Sequence, residues 1–131
     1  MPIKKQFSVM VENKRGALAQ VCSRLAEKAV NILALMVPEQ SGLAPIRLVV
    51  SNDETAKKIL DSMGSSYTEE DVLAVEVSDK PGALGKVTRK LADHNIDVKY
   101  AYGTIEKGVE KAMIVMGVSD LQAAVRVLKL A

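Results

Sequence analysis

The same short turn motif occurs twice in the chain, about half its length apart. The first copy reads KRGAL at residues 14–18, and the second reads KPGAL at residues 80–84. Each copy follows an alternating apolar run and precedes a run of helical periodicity, and the two glycines, Gly16 and Gly82, are 66 residues apart. A repeat of this length predicts two copies of one small domain.

The composition is that of a globular chain without a strong charge bias. Of the 131 residues, 48% are hydrophobic and 26% are charged, with 18 basic residues against 16 acidic ones. Aromatic residues make up only 3%, and no stripe of lysine and arginine stands out, which argues against nucleic-acid binding. No apolar run is long enough for a signal peptide or a membrane span. The single cysteine, Cys22, leaves no intrachain disulfide and favours a reducing, cytoplasmic location.

Hydrophobic periodicity predicts one order of elements in both halves: strand, helix, strand, strand, helix. Residues 65–71 are interpreted either as a fourth, edge strand or as a link between the halves, with the acidic run 69–71 as a solvated part of it. Helices are predicted after each glycine turn and again after the capping positions 52–53 and 119–120, the former ending at Gly64. The predicted strands are residues 7–12, 31–37, 46–51, 72–77, 97–105 and 110–118, with a hairpin turn at residues 107–108.

Two right-handed crossovers around a hairpin give the split βαβ, or ferredoxin-like, layout. We therefore predict an α+β fold with two ferredoxin-like (βαββαβ) domains, residues 1–71 and 72–131, each an antiparallel sheet with its helices on one face. Only three residues follow Leu128, so the second domain is expected to lack its last strand. Either the extended start of the chain, residues 1–6, or a partner chain would then cover the open sheet edge.

No pattern typical of an active site is found, so the chain is predicted not to be an enzyme and to hold neither cofactor nor metal. The single histidine, His94, falls at a predicted helix C-terminus, where the helix dipole favours a cation. Cys22 lies on the inward face of a predicted helix and is interpreted as a core residue. The run GALGK at residues 82–86 lacks the spacing of a phosphate loop, and its GxxG follows a strand, unlike the clamp of a KH-type RNA domain.

The turn itself is a candidate ligand site. Glycine permits a positive φ and close approach to the backbone, and the helix that follows presents N–H groups suited to a carboxylate. Asn13 and Asp79 precede the two turns, while Asn31 and Asp97 open the next strands, and the crossover is expected to bring each pair close together. Such a pair could hold an ammonium group, although asparagine and aspartate are also common turn and capping residues.

At these residues the chain resembles the ACT domain family, regulatory modules that bind amino acids. The matching motifs are VENKRGAL at residues 11–18 and VSDKPGAL at residues 77–84, each followed by a helix and then by VNI at 30–32 or IDV at 96–98. The chain is similar to stand-alone tandem ACT proteins, which carry no catalytic domain. In that family, ligands bind between ACT domains, at the turn after the first strand and at the start of the second strand.

The resemblance implies a set of ligand-binding residues in each copy. They are Asn13, Gly16, Ala17, Leu18, Asn31 and Ile32 in the first copy, and Asp79, Gly82, Ala83, Leu84, Asp97 and Val98 in the second copy. The copies differ, because Arg15 replaces the usual proline in the first, and because Asp79 and Asp97 are carboxylates where the first copy has amides. An ionised carboxylate only accepts hydrogen bonds, so the two copies should differ in ligand preference.

The resemblance implies a non-enzymatic regulatory protein that binds a small amino acid at ACT domain interfaces and takes part in the control of amino-acid metabolism. Its implied partners are the amino acid, a second copy of the chain in a homodimer, and a metabolic enzyme. The alternative is a ligand-free module for oligomerisation or for interaction with another subunit. Tyr100 and Tyr102 share a strand face and would fill an interface or core, or else shape a second pocket.

Overall fold

The structure is a computed structural model of the 131-residue chain, and it describes residues 2–12, 15–39, 43–105 and 110–129. The chain divides into two compact units, Lys5–Glu70 and Met1–Lys4 together with Asp71–Ala131. The domain limits expected from the sequence, 1–71 and 72–131, remain a prediction. The predicted hairpin turn at 107–108 lies outside the described residues.

The described residues form strands and helices in the predicted order, and the α+β fold is confirmed. The strands are β1 (Ile3–Glu12), β2 (Ile32–Met36), β3 (Leu43–Val50), β4 (Ser66–Ser78), β5 (Val98–Ile105) and β6 (Lys111–Val118). The helices are α1 (Ala17–Glu27), α2 (Asp53–Ser62), α3 (Ala83–Asp93) and α4 (Leu121–Val127). Side chains cap the N-termini of α2 and α4 as expected, since Asn52 accepts from the Thr55 N–H and Asp120 accepts from the Ala123 N–H.

The unit Lys5–Glu70 contains the four-stranded antiparallel sheet predicted for the first half. Its strand order is β2-β3-β1-β4, with β4 contributing the residues up to Glu70. Apolar side chains on one face of the sheet meet the inward faces of α1 and α2, as their helical spacing predicts. The buried core consists of Phe7, Val9, Val21, Leu25, Val30, Ile46, Leu48, Val50, Ala56, Ile59 and Leu60.

The second unit repeats this layout with the strand order β5-β6-β4. The described residues after α4 form no further strand, as expected. Instead, the Ala74 N–H in β4 donates to the Pro2 carbonyl at 2.6 Å, so the start of the chain lies beside β4. Of the two predicted ways to cover this sheet edge, the structure shows the first. The buried core consists of Leu73, Val75, Leu91, Ile96, Met116 and Ala124.

Of the two interpretations of residues 65–71, the strand is confirmed, because β4 begins at Ser66. The stretch also connects the halves, since the boundary between the two units follows Glu70, and Glu69 and Asp71 are exposed. Strand β4 runs for 13 residues without a break. The Glu70 carboxylate accepts hydrogen bonds from Gln6 Nε2 at 3.0 Å and Ser8 Oγ at 2.7 Å, and Gln6 is fully buried. The acidic run is part of the sheet because the polar side chains of β1 supply partners for its central carboxylate.

Glu70 should make the stability of this unit depend on pH. Burial raises the pKa of Glu70, but hydrogen bonds from Thr68, Gln6 and Ser8 and the charge of Arg47 outweigh it and hold the pKa below its ordinary value. A carboxylate of this kind stabilises the fold above its unfolded pKa and loses that contribution as the pH falls through its folded pKa. We expect urea unfolding to show a steeper loss of stability for the wild type than for Glu70→Gln between about pH 6 and about pH 3. Identical pH profiles would contradict this role for Glu70.

Gly117 leaves room for the ring of Tyr100, which pairs with it across β5 and β6. A Cβ at Gly117 would lie 2.3 Å from two ring carbons. Gly117→Ala should therefore displace the ring and lower the free energy of unfolding by about 1–3 kcal/mol, as measured by urea denaturation. The control is Gly85→Ala in α3, where the new methyl group meets nothing within 4 Å and should raise stability by about 0.5–1 kcal/mol. Equal effects of the two substitutions would be inconsistent with this packing.

Candidate functional site

The two glycine turns have almost the same backbone conformation. Gly16 has φ 88° and ψ −10°, and Gly82 has φ 87° and ψ −10°. Residues other than glycine rarely adopt this left-handed backbone conformation. Ala17 and Ala83 are the first residues of α1 and α3. Among the described residues, no side chain caps either helix N-terminus. The repeat seen in the sequence is therefore also a repeat of local structure.

A cavity of about 340 Å³ lies beside the second turn, within the second unit. The turn contributes charged residues of both signs, and the paired strands β5 and β6 close the opposite side. The polar lining consists of Ser78, Asp79, Lys80 and Thr104, and the other lining residues are Val77, Leu84, Gly103, Ala112 and Ile114. Its volume lies within the range of small-molecule sites, and apolar walls with a few polar groups are typical of them.

A second cavity, of about 410 Å³, lies on the α3 side of the same turn. Ser78 and Lys80 line both cavities, and Lys86 from α3 adds another cation to the second one. Glu76 also lines it and lies 3.8 Å from Lys111 Nζ, so its carboxylate already has a cationic partner. The turn at Ser78–Lys80 is therefore accessible from two sides.

Asp79 and Asp97 lie at opposite ends of the sheet in their unit. The Asp79 N–H donates to the Glu110 carbonyl at 2.9 Å, just before β6, whereas the Asp97 N–H donates to Ser119 Oγ at 2.9 Å, just after β6. The eight residues of β6 span about 25 Å. The expectation that the crossover brings these residues together is therefore wrong within one unit, because α3 returns the chain to the far end of the sheet before β5 begins.

The first copy has the same arrangement. The Asn31 N–H donates to Ser51 Oγ at 2.9 Å, and the Ser51 N–H donates to the Asn31 carbonyl at 2.9 Å, just beyond the end of β3. The turn at Gly16 follows β1, whose last residue, Glu12, pairs with Leu43 at the start of β3. Asn31 is thus also far from the turn of its own unit. Asn13 lies outside the described residues.

The apolar residues of the predicted sites differ between the copies. Leu18 and Ile32 are partly buried and pack against the core of the first unit. Their counterparts Leu84 and Val98 are 42% and 37% exposed. Leu84 at the second turn therefore presents apolar surface that its counterpart at the first turn, Leu18, uses for packing.

The sequence motif did not include the residues that line the 340 Å³ cavity from β5 and β6. Gly103 is the one that a sequence signal could have indicated, because a Cβ there would lie 2.8 Å from Ile114 Cδ1. A glycine inside a strand pattern is a signal of such close approach. The contribution of Thr104 and Ile114 depends on strand pairing, which no local pattern reports.

The described part of the chain was also compared with the sequence-based interpretations of metal binding, of His94 and of Cys22. No group of three or more His, Cys, Asp and Glu residues there could hold a metal ion. His94 ends α3 as predicted, with Nδ1 2.9 Å from the Lys90 carbonyl oxygen, and Cys22 is half-buried on α1. Of the helices described, none has the length and apolar character needed to span a bilayer.

The chain contains two ferredoxin-like repeats, and each has a left-handed glycine between its first strand and its first helix. This pair of domains is the arrangement that the two sequence motifs predict. A family model described as an ACT domain pair matches residues 1–129. The chain therefore belongs to the ACT domain pair family, and this membership supports a regulatory role.

Solved structures share the fold over nearly the whole chain. A protein from Bacteroides thetaiotaomicron is 30% identical, with a TM-score of 0.90 and coverage of 98% of this chain and 88% of that chain. The regulatory subunit of aspartate kinase from Thermus thermophilus, in a ligand-free form, has 15% identity, a TM-score of 0.70 and coverage of 99% and 92%. The corresponding subunit from Thermus flavus has 14% identity, a TM-score of 0.69 and coverage of 98% and 92%. Among curated proteins, no sequence matches the chain.

Proposed function

We propose that the chain is a cytoplasmic, non-enzymatic regulatory protein that binds a small amino acid at its second glycine turn. The observation that carries this proposal is the 340 Å³ cavity, whose lining combines Asp79 and Lys80 with apolar residues. A free amino acid carries one ammonium group and one carboxylate. Asp79 is suited to accept hydrogen bonds from the ammonium group, and Lys80 is suited to pair with the carboxylate. The apolar wall at Ala112 and Ile114 would receive a small side chain.

The ligand would lie at an interface between ACT domains in a homodimer. Asn31 and Asp97 lie at the far ends of their own sheets. In the proposed dimer, the second copy of the chain supplies one of these strand-start residues to the turn. The similar fold of the aspartate kinase regulatory subunits motivates a partner enzyme of amino-acid metabolism.

A thermal-shift panel of the twenty amino acids tests the proposal. We expect one small amino acid to raise the unfolding midpoint, with a stabilisation of about 2.7 kcal/mol at roughly 100 times its dissociation constant. Asp79→Ala should abolish the shift, whereas Asp93→Ala, at the exposed end of α3, should preserve it. A stable oligomer that responds to no amino acid at millimolar concentration would contradict ligand binding and favour a purely interacting module.

A further inference from the structure

We propose that the groove between α1 and α2 is a second ligand site, which binds a small molecule bearing a phosphate group. The groove belongs to the unit Lys5–Glu70 and has a volume of about 390 Å³, within the range of small-molecule sites. None of its lining residues belongs to the proposed amino-acid site. A failure to bind at one of these sites would therefore leave the proposal for the other site unaffected.

Cationic side chains line the groove from both helices. Arg24 and Lys28 come from the end of α1, and Lys58 comes from α2. One acidic residue, Glu27, is part of the described lining, so three positive charges and one negative charge leave a net charge of +2. A phosphate monoester carries about −1.5 to −2 at neutral pH, which complements this charge. A ligand with a single carboxylate would leave part of the positive charge of the groove uncompensated.

Arg24 is already held in position at the groove. Its Nη2 donates to Ser62 Oγ at 3.0 Å, and Ser62 Oγ in turn donates to the Ile59 carbonyl at 2.7 Å. Arg24 Nε also lies 3.8 Å from Glu27 Oε2. Because these contacts restrain the guanidinium, less side-chain entropy is lost when its other N–H groups bind an anion. The planar array of donors also matches phosphate geometry.

The second copy provides an internal comparison for this groove. At the matching positions between α3 and α4, His94 replaces Lys28 and Ala123 replaces Thr55 when the helices are aligned on their N-caps. His94 Nδ1 already lies 2.9 Å from the Lys90 carbonyl oxygen, and Ala123 offers no hydroxyl group. Lys90 and Arg126 keep the positive charges of Arg24 and Lys58 in the second copy, so the first groove is distinguished by Lys28 and by the Thr55 hydroxyl group. The duplicated fold does not by itself require these two groups, which points to a separate role for them.

A titration of the full-length, ¹⁵N-labelled protein with pyrophosphate at constant ionic strength tests this site. We expect saturable chemical-shift changes in the amides of residues 24–28 and 55–62. Arg24→Gln and Lys58→Gln should each weaken binding by about ten-fold, since each removes one charge-assisted contact. Glu27→Gln should tighten binding, because it removes a carboxylate that competes with the anion for Arg24.

The matched control is Arg126→Gln in α4, which occupies the position of Lys58 in the second copy and should leave the dissociation constant unchanged. Well-dispersed amide spectra establish that each variant is folded. Shifts that do not saturate, or that fall equally on both copies, would overturn the proposal. The same holds if Glu27→Gln binds pyrophosphate no more tightly than the wild type.

Discussion

Replacing Phe7 by alanine is expected to lower the free energy of unfolding by about 3–5 kcal/mol. Phe7 is fully buried in β1, at the centre of the core that α1 and α2 cover. Its ring packs edge-on against Tyr67, with ring centroids 5.8 Å apart and an interplanar angle of 65°. The substitution removes the aromatic contact and leaves a cavity that a close-packed core cannot fill by relaxation. Urea denaturation followed by circular dichroism measures the loss.

Tyr67→Phe is the matched control, because it keeps the ring and removes only the hydroxyl group. That hydroxyl donates to Asp61 Oδ1 at 2.6 Å, and this hydrogen bond raises the pKa of Tyr67 to about 12. The bond is exposed to solvent, so the variant should unfold close to the wild-type midpoint. A loss of stability as large as that of Phe7→Ala would mean that the ring contact is not what stabilises this core.

Replacing Leu91 by alanine is expected to cost about 2–5 kcal/mol of stability. Leu91 is fully buried on α3 and belongs to the same core cluster as Leu73 and Val75 of β4. The cavity left by alanine would loosen the packing that fixes α3, and with it the turn at Gly82, on the sheet. Thermal and urea unfolding should both report the loss.

The same chemical change at Leu84 separates stability from binding. Leu84 lies in the first turn of α3, is 42% exposed and lines the cavity beside the second turn. Leu84→Ala should lower the free energy of unfolding by only about 1 kcal/mol, since Leu84 is partly exposed and its removal leaves no closed cavity. It should weaken binding of the amino acid, because the cavity loses part of its apolar wall. Equal losses of stability in Leu84→Ala and Leu91→Ala would contradict the burial seen in the structure.

Local patterns predict most of the fold. Apolar alternation and helical spacing indicate the strands and helices, and the caps at Asn52 and Asp120 occur where short polar side chains precede a helical run. The continuity of β4 was not predicted, because it depends on hydrogen bonds from Gln6 and Ser8 to Glu70, more than 60 residues away in sequence. A polar strand whose hydrogen-bonding groups pair with a distant strand resembles a solvated link when its own sequence is considered alone.

The candidate site was only partly predictable for a similar reason. The glycine turn is a local feature, and its left-handed conformation agrees with its sequence. The relation between Asp79 and Asp97 depends on strand pairing and on the direction of α3, which place them at opposite ends of β6. The contribution of Thr104 to the cavity likewise comes from a strand distant in sequence.

Amino-acid binding at the second turn is tested most directly by isothermal titration calorimetry, with the amino acid that gives the largest thermal shift. We expect saturable binding to the wild type, a loss of at least about ten-fold in affinity for Asp79→Ala, and no change for Asp93→Ala. Wild-type affinity in Asp79→Ala, or no saturable heat with any amino acid, would contradict a ligand site at this turn.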